Sequence, residues 1–546
     1  MIENKFFMVL IYIITVAASI TLSARLLLHY FQLESYQFRG YFLTLRRQWH
    51  KAFAPGMLLA IVFIVCQAII WRLDKSGNHP WLWFIADAVV LATAWLLNRI
   101  EKKQPQKKKF VMTARVKRLY VALAIASALC AVCAALWAVG LSTKFSGPQA
   151  IGVMLILTLP FLLMPLIVAL SGVLALPVER LIFRLYFRDA EKKLMANDRL
   201  IRIGITGSYG KTSTKFVLAN ILAQKYNVLA TPASFNTPMG LTRVIRERLL
   251  PSHQVFIGEM GARHVGEIKE LCSLVHPTIG ILTSVGPQHL DTFGSIERIK
   301  KTKYELIDAL PNDGMAFFAN DDGIVTALYE ATDKPKQLIG KAGSDAWAED
   351  VAVNSNGSSF TLCFRDGEKI FCQTRLLGKH NIANIVCGAA VARYLGLSLR
   401  QIEQGILTLT PIEHRLQIVS SVGNVTVIDD AFNTNPTSSK EALHVLSMFP
   451  KRRIIVTPGM VELGEQEAEY NREFGQHMAG CVDIAILVGK RHTEPIREGL
   501  LDQHFEPSNI FVCSSLEEAI AQVRALARPG DTVMYENDLP DHYNDP

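Results

Sequence analysis

Charge is scarce in this chain: 19% of its 546 residues are charged, and half are hydrophobic. That balance leans towards a membrane protein. The scarcity is uneven. Residues 1–200 carry 24 Lys and Arg against 9 Asp and Glu, whereas the remainder carries 33 against 40. The net charge of +8 therefore belongs to the first part, and it gives no ground for a nucleic-acid partner; anionic lipid is the partner such asymmetry suggests. Cysteine forms no framework either. Nine are spread from Cys66 to Cys513, with only Cys130 and Cys133 close together, inside an apolar run. An odd number without ligand-type spacing to His excludes a disulfide scaffold and points to a reducing cytosol for the polar half.

What the first part has in place of charge is length of apolar sequence. Five runs, near 6–24, 55–71, 81–98, 119–140 and 153–176, reach the roughly 20 helical residues that cross a bilayer. The first lacks a strongly basic leader and four runs follow it, so an uncleaved helix is expected rather than a signal peptide. Arg39, Arg46, Arg47 and Lys51 lie between runs one and two, and eight basic residues from Lys102 to Arg118 follow run three. The other two loops hold only Arg72 and Lys75, and Lys144. By the positive-inside rule the N-terminus is outside the plasma membrane and everything after run five is cytoplasmic. Asp87 is the one acid well inside a run, a polar contact or an interfacial group. Past Pro177, Arg180, Arg184 and Arg188 recur on one helical face, so a juxtamembrane helix lying on anionic headgroups is expected.

The polar part opens with an alternating strand, Leu200–Ile205, that runs into Thr206-Gly207-Ser208-Tyr209-Gly210-Lys211-Thr212-Ser213 and then a helical pattern. Strand, glycine turn and helix in this order make a phosphate cradle. Gly207, Ser208, Gly210 and Ser213 let backbone N–H groups and a helix N-terminus meet the anion, Lys211 adds a point charge, and Thr212 can ligate Mg²⁺. Only two residues separate the glycines, so this is not the common Walker spacing. Glu259 ends the apolar run Val255–Ile257, where a carboxylate at a strand's carboxyl edge can reach Mg²⁺.

From Arg202 to the C-terminus the chain resembles the Mur ligase family. The loop is followed, in collinear order, by Ser234-Phe235-Asn236-Thr237, Glu259-Met260-Gly261-Ala262, Gly266-Glu267-Ile268, His289-Leu290-Asp291, Phe293-Gly294-Ser295 and Lys303-Tyr304-Glu305. Gly378-Lys379-His380-Asn381 with Asn384, His414-Arg415-Leu416-Gln417, Asp429 to Pro436, and Glu462-Leu463-Gly464 complete the series. The last looks most like the branch that adds D-alanyl-D-alanine. The resemblance implies ATP and Mg²⁺ as cofactors. It implies His289 and Lys303, the latter carbamylated, as ligands of a second metal. It also implies Asn384 at adenine, Arg415 at the phosphates, and Asp430 at the nucleotide and in domain closure.

The implied reaction is amide-bond formation. A carboxylate acceptor takes the γ-phosphoryl group to give an acyl phosphate and ADP, and an amino acid or dipeptide amine then displaces phosphate. Metal ions and Lys211 would do electrostatic work, with Glu259, His289 and Lys303 around them. No Ser or Cys nucleophile is needed. The expected architecture is a five-helix membrane region over 1–177, a basic helix over 178–198, and two α/β domains. These are a parallel-sheet ATPase domain over 199–410, with a hairpin appendage in 351–371, and a Rossmann-like domain over 411–546.

Three departures stand out: helices replace the soluble domain that binds a UDP-sugar, Ser284 stands where Asn is frequent, and Pro458 where Asp is frequent. They leave the acceptor open. A lipid-linked or polymeric cell-envelope precursor suits the helices, and a poly-γ-glutamate-synthase-like role does too. A nucleotide-switched transporter or scaffold is the reading from another class.

Overall fold

The structure, a computed structural model, describes residues 2–34, 36–73, 81–103, 109–141, 147–232, 235–319, 323–419, 423–432, 434–461 and 463–538. Lys75, Lys107, Lys108 and Lys144 of the loop-charge argument lie outside these residues, as do Ser234, Asn433 and Glu462 of the short matches. The chain forms two compact units, Met1–Arg184 and Leu185–Pro546.

The first unit is helical. Trp49–Ile70, Trp81–Lys103, Ala114–Val139 and Met164–Met195 are each long and apolar enough to cross a membrane, and Phe7–Ser23 with Arg25–Leu33 forms a fifth candidate bent by 49°. Their inward residues make one core around Ile20, Phe31, Tyr41, Leu59, Val90, Leu123 and Phe161. Their outward faces are apolar as well, with Ile14, Ile61, Phe84, Ile125 and Leu129 exposed.

The run at 153–176 is not one helix. It breaks at Leu163, between Gly147–Leu162 and Met164–Met195. Pro165 explains the break, because it cannot donate to the carbonyl of Phe161. That carbonyl instead lies against Gly56, so closely that a Cβ there would collide with it. The Tyr41 hydroxyl donates to the Pro165 carbonyl at 3.0 Å. The last helix continues through Pro177 to Met195 and leaves Arg180, Arg184 and Arg188 exposed.

The second unit holds two sheets. In the first, strands β1 (Ile201–Thr206), β2 (Val228–Ala230), β3 (Val255–Glu259), β4 (Ile279–Leu282), β5 (Met315–Ala319), β6 (Lys336–Ile339), β7 (Ala346–Asn354), β8 (Gly357–Phe364) and β9 (Lys369–Thr374) take the order β2-β3-β1-β4-β5-β6-β7-β8-β9. Pairing is parallel from β2 to β7 and antiparallel from β7 to β9. β3 and β4 are buried throughout, the pattern of a parallel sheet covered on both faces. The expected hairpin is therefore no appendage; it extends the main sheet through the single pair Ile339↔Ala346.

The second sheet comprises β10 (Gln417–Val419), β11 (Thr426–Asp430), β12 (Arg453–Thr457), β13 (Ile484–Val488), β14 (Ile510–Cys513) and β15 (Thr532–Glu536), ordered β10-β11-β15-β12-β13-β14. Only β10 runs antiparallel. Loops leaving the carboxyl ends of parallel strands are where α/β sheets place ligands. Here those ends carry Thr206, Glu259, Asp430, Thr457 and Glu536.

Candidate active site

β1 ends at Thr206, and the chain must turn at once into the helix Lys211–Leu222. Two glycines make that turn possible. Gly207 has φ +151°, and a Cβ there would strike the Thr283 hydroxyl and Ser284 backbone; Gly210 has φ +77° and abuts the Asn384 carboxamide oxygen. The loop after β4 clamps the turn. Ser208 N–H donates to the Ser284 carbonyl at 2.8 Å and Tyr209 N–H to Ser284 Oγ at 2.7 Å. Ser208 Oγ bonds both the carbonyl and the N–H of Gly286. Ser208, expected as a phosphate contact, is thus a buried strut. Ser284 is the residue that fixes the loop, through its carbonyl and its hydroxyl.

The helix that follows opens with N–H groups that have no intrahelical acceptor, the usual seat of an anion. Lys211 Nζ curls back onto the loop, donating to the Gly207 and Ser208 carbonyls at 2.6 and 2.8 Å. Burial lowers its pKa to about 8, the nearby Glu259 charge opposes that, and Arg415 adds to it. A half-buried lysine whose hydrogen bonds among the described residues go to carbonyls keeps its charge uncompensated by them, and phosphate oxygens fit it.

Glu259, at the end of β3, is almost fully buried and has three partners. Lys215 Nζ lies 2.8 Å from its Oε2, and the Thr212 hydroxyl and Asn236 carboxamide donate to Oε1 at 3.1 and 3.2 Å. Thr212 and Glu259 therefore point at one spot, a reasonable seat for a hard cation. Lys215 was not legible as a site residue. The only signal was its place four residues after Lys211, on the same helical face.

Lys303 sits in the helix Ile296–Asp308, 2% exposed. Among the described residues no hydrogen bond or ion pair reaches it; the Phe293 ring lies 5.9 Å from its Nζ. Burial first, and then the Lys211 charge, hold its pKa well below the usual lysine range, which favours the neutral amine. Glu305, two residues on, accepts from the Gly266 and Lys269 N–H groups and so caps the neighbouring helix Glu267–Val275. His289 stands at φ +53° just before the short helix Leu290–Phe293. The described residues contain no cluster of three or more His, Cys, Asp and Glu set to hold a metal. A Mg²⁺ at this site would lean on phosphate oxygens and water, as Mg²⁺ ordinarily does. ATP and Mg²⁺ thus fit the residues present.

Two other parts of the unit reach the loop. Asn384, on the helix Lys379–Tyr394, accepts from the Thr214 hydroxyl at 3.1 Å. Arg415 comes from the turn before β10, lies over the Phe432 ring at 4.5 Å, and is close enough to Asp430 and Glu259 for their charges to offset its burial. Asp430, at the end of β11, accepts the Leu416 N–H at 3.1 Å. Burial and the Glu536 charge push its carboxyl up to about 8. Ser213 is buried behind Thr212 in the first helical turn. No motif or periodicity singled out Glu536.

Both sheets of this unit match a known family. Residues 205–392 match the Mur ligase middle domain, and 414–535 the Mur ligase glutamate ligase domain. The chain is 34% identical over 358 residues to the UDP-N-acetylmuramoyl-tripeptide–D-alanyl-D-alanine ligase of Mycobacterium tuberculosis, a match covering 61% of this chain and 69% of that one. Against the enzyme of the same name from Escherichia coli it is 31% identical over 328 residues, covering 59% and 72%. Among solved structures, MurF from Acinetobacter baumannii superposes with a TM-score of 0.60 at 25% identity, over 66% of this chain and 78% of that one. MurF from Thermotoga maritima in complex with ADP shares the fold, with a TM-score of 0.59 at 24% identity, over 65% and 80%.

Proposed function

Since the chain belongs to the Mur ligase family, we propose that it joins D-alanyl-D-alanine to the carboxylate of a peptidoglycan precursor at the inner face of the plasma membrane. It is an ATP-dependent amide ligase of the MurF kind that uses Mg²⁺ in cell-wall synthesis. The observation that carries the active-site assignment is the convergence of Lys211, Thr212 and Glu259 at the carboxyl ends of β1 and β3, with Arg415 brought to them from the second sheet.

In this reading the Lys211–Ser213 turn and Lys211 hold the nucleotide phosphates, and Asn384 and Asp430 contact the nucleotide. Thr212 and Glu259 hold one metal. His289 and a carbamylated Lys303 hold a second; the neutral amine that burial favours at Lys303 is the form that adds CO₂. When bound, the metals and ATP supply charge neutralisation and the transferable phosphoryl group. The chain's own residues position the acceptor carboxylate, exclude water and place the amine. The second sheet acts as a Rossmann-like domain that presents the amine.

The first unit is read as membrane-embedded. Support comes from its four or five long apolar helices and their exposed apolar faces. Arg180, Arg184 and Arg188, exposed beside Leu181 and Leu185, suit anionic headgroups at the inner leaflet. The acceptor is then a lipid-linked or polymeric envelope precursor. The test supplies the purified full chain with ATP, Mg²⁺ and D-alanyl-D-alanine, together with either a UDP-linked muramoyl-tripeptide or a membrane extract, and identifies the product by mass spectrometry. Dipeptide added only to an extract component supports the lipid-linked acceptor, and dipeptide added to the UDP-linked peptide overturns that part. A single amino acid incorporated in place of the dipeptide overturns the amine assignment and favours a poly-γ-glutamate-synthase-like role.

A further inference from the structure

A carboxylate that the phosphate site does not use lies at the edge of the second sheet. Glu536 ends β15 and is fully buried. Its Oε2 accepts from the Thr457 hydroxyl at 2.6 Å, and the Thr434 hydroxyl is near enough to favour its charge, yet among the described residues Oε1 has no hydrogen bond. Parallel pairing sets Glu536 directly beside Asp430 of β11. Asn537 follows at φ +65°; its N–H donates to the Asp430 carbonyl and its carboxamide to the Gly459 carbonyl, which fixes the Glu536 backbone.

The charges facing this pair do not balance it. Asp429 is engaged by His414, whose Nδ1 lies 2.7 Å away. The helix Pro436–Ser447, packed on β15, buries Ser439, Ala442, Leu443, Val445 and Leu446 and no charged residue. Among the described residues Arg415 is the one cation whose charge acts on Asp430, and it acts on Glu259 and Lys211 as well. A fully buried glutamate with no cation acting on it among the described residues, beside a half-buried aspartate that Arg415 only partly offsets, leaves room for a further cation that approaches from the Asp430 side. Arg415 also locates them on the phosphate-loop side of the second sheet.

We propose that Glu536, with Asp430 beside it, receives the ammonium group of the incoming amine and removes a proton from it before attack on the acyl phosphate. This rests on the ligase reading given above and makes the chain selective for a free amino group. The ammonium gives one proton to the Glu536 carboxylate. The nitrogen lone pair then bonds to the acyl carbon, the carbon–oxygen bond to phosphate breaks, and phosphate departs with the second proton as hydrogen phosphate. Burial pushes Glu536 up to about 7 and Asp430, with the Glu536 charge added, up to about 8. Such a pair titrates near neutrality, where a general base is most effective.

The test titrates the detergent-purified full chain, with Mg²⁺ and a non-hydrolysable ATP analogue, against D-alanyl-D-alanine and its N-acetylated form by calorimetry. The wild type is expected to bind the free amine at least about tenfold more tightly than the capped one. Glu536→Gln, which keeps the Thr457 hydrogen bond, is expected to lose that preference while binding the nucleotide analogue unchanged, and Asp430→Asn to weaken it. An undiminished preference in Glu536→Gln overturns the proposal. If the wild type binds neither dipeptide, the dipeptide assignment fails on its own, and single amino acids and methylammonium replace it as probes. An ammonium preference that Glu536→Gln abolishes then supports the site, and no preference for any free amine in the wild type overturns it.

Discussion

The Lys215–Glu259 pair shows how much a single residue's environment decides. Both side chains are essentially without solvent contact, so each compensates a charge that could not otherwise be buried. Glu259→Ala should therefore cost about 3–5 kcal/mol of stability, the usual penalty for stranding a buried charge, whereas Glu259→Leu combined with Lys215→Met should cost much less. Denaturant titration of the three proteins checks this. Asp430 gives a second expectation. Its folded pKa of about 8 lies far above the ordinary aspartate value of 3.8, so the folded state holds a proton that the unfolded state has lost. The stabilisation is complete below pH 3.8 and disappears as pH rises through 8. Without nucleotide, raising the pH from 6 to 8 should lower the melting temperature of the wild type relative to that of Asp430→Asn, a comparison in which the opposite contributions of the buried lysines cancel. Glu259 was legible in sequence because it ends an apolar run. Lys215 and Glu536 were not, since each became significant only through a partner distant in the chain.

At the scale of elements, the phosphate turn depends on backbone that only glycine tolerates and on a neighbouring loop. Gly207→Ala drives a methyl group into Thr283 and Ser284 and should abolish binding of a fluorescent ADP analogue while leaving the sheet folded. Ser284→Ala removes the acceptor of the Tyr209 N–H, a loss of about 1 kcal/mol, and should weaken ADP binding about fivefold. The strand–turn–helix was readable because local periodicity and glycine spacing specify it. The break at Leu163 was not, because hydropathy registers the apolar character of 153–176 but not the hydrogen bond that Pro165 withholds. β10 also escaped notice: three residues carry too little pattern, and pairing with β11 creates the strand.

For the whole molecule, the two α/β sheets meet through charge as well as packing. Arg415 belongs to one sheet's approach and acts on Glu259 and Lys211 of the other. Composition alone could divide an apolar, basic first part from an acidic remainder, and collinear motifs could supply the family. Neither could say which side chains meet across the sheets. The central claim is that this site couples ATP to amide formation, so the decisive measurement is phosphate release by the purified full chain with ATP, Mg²⁺ and membrane extract, with and without D-alanyl-D-alanine or single amino acids. The account predicts release that requires both extract and one particular amine and that is lost in Lys211→Ala. Release indifferent to every amine, while Lys211→Ala still abolishes nucleotide binding, would contradict it and leave a nucleotide-driven switch in its place.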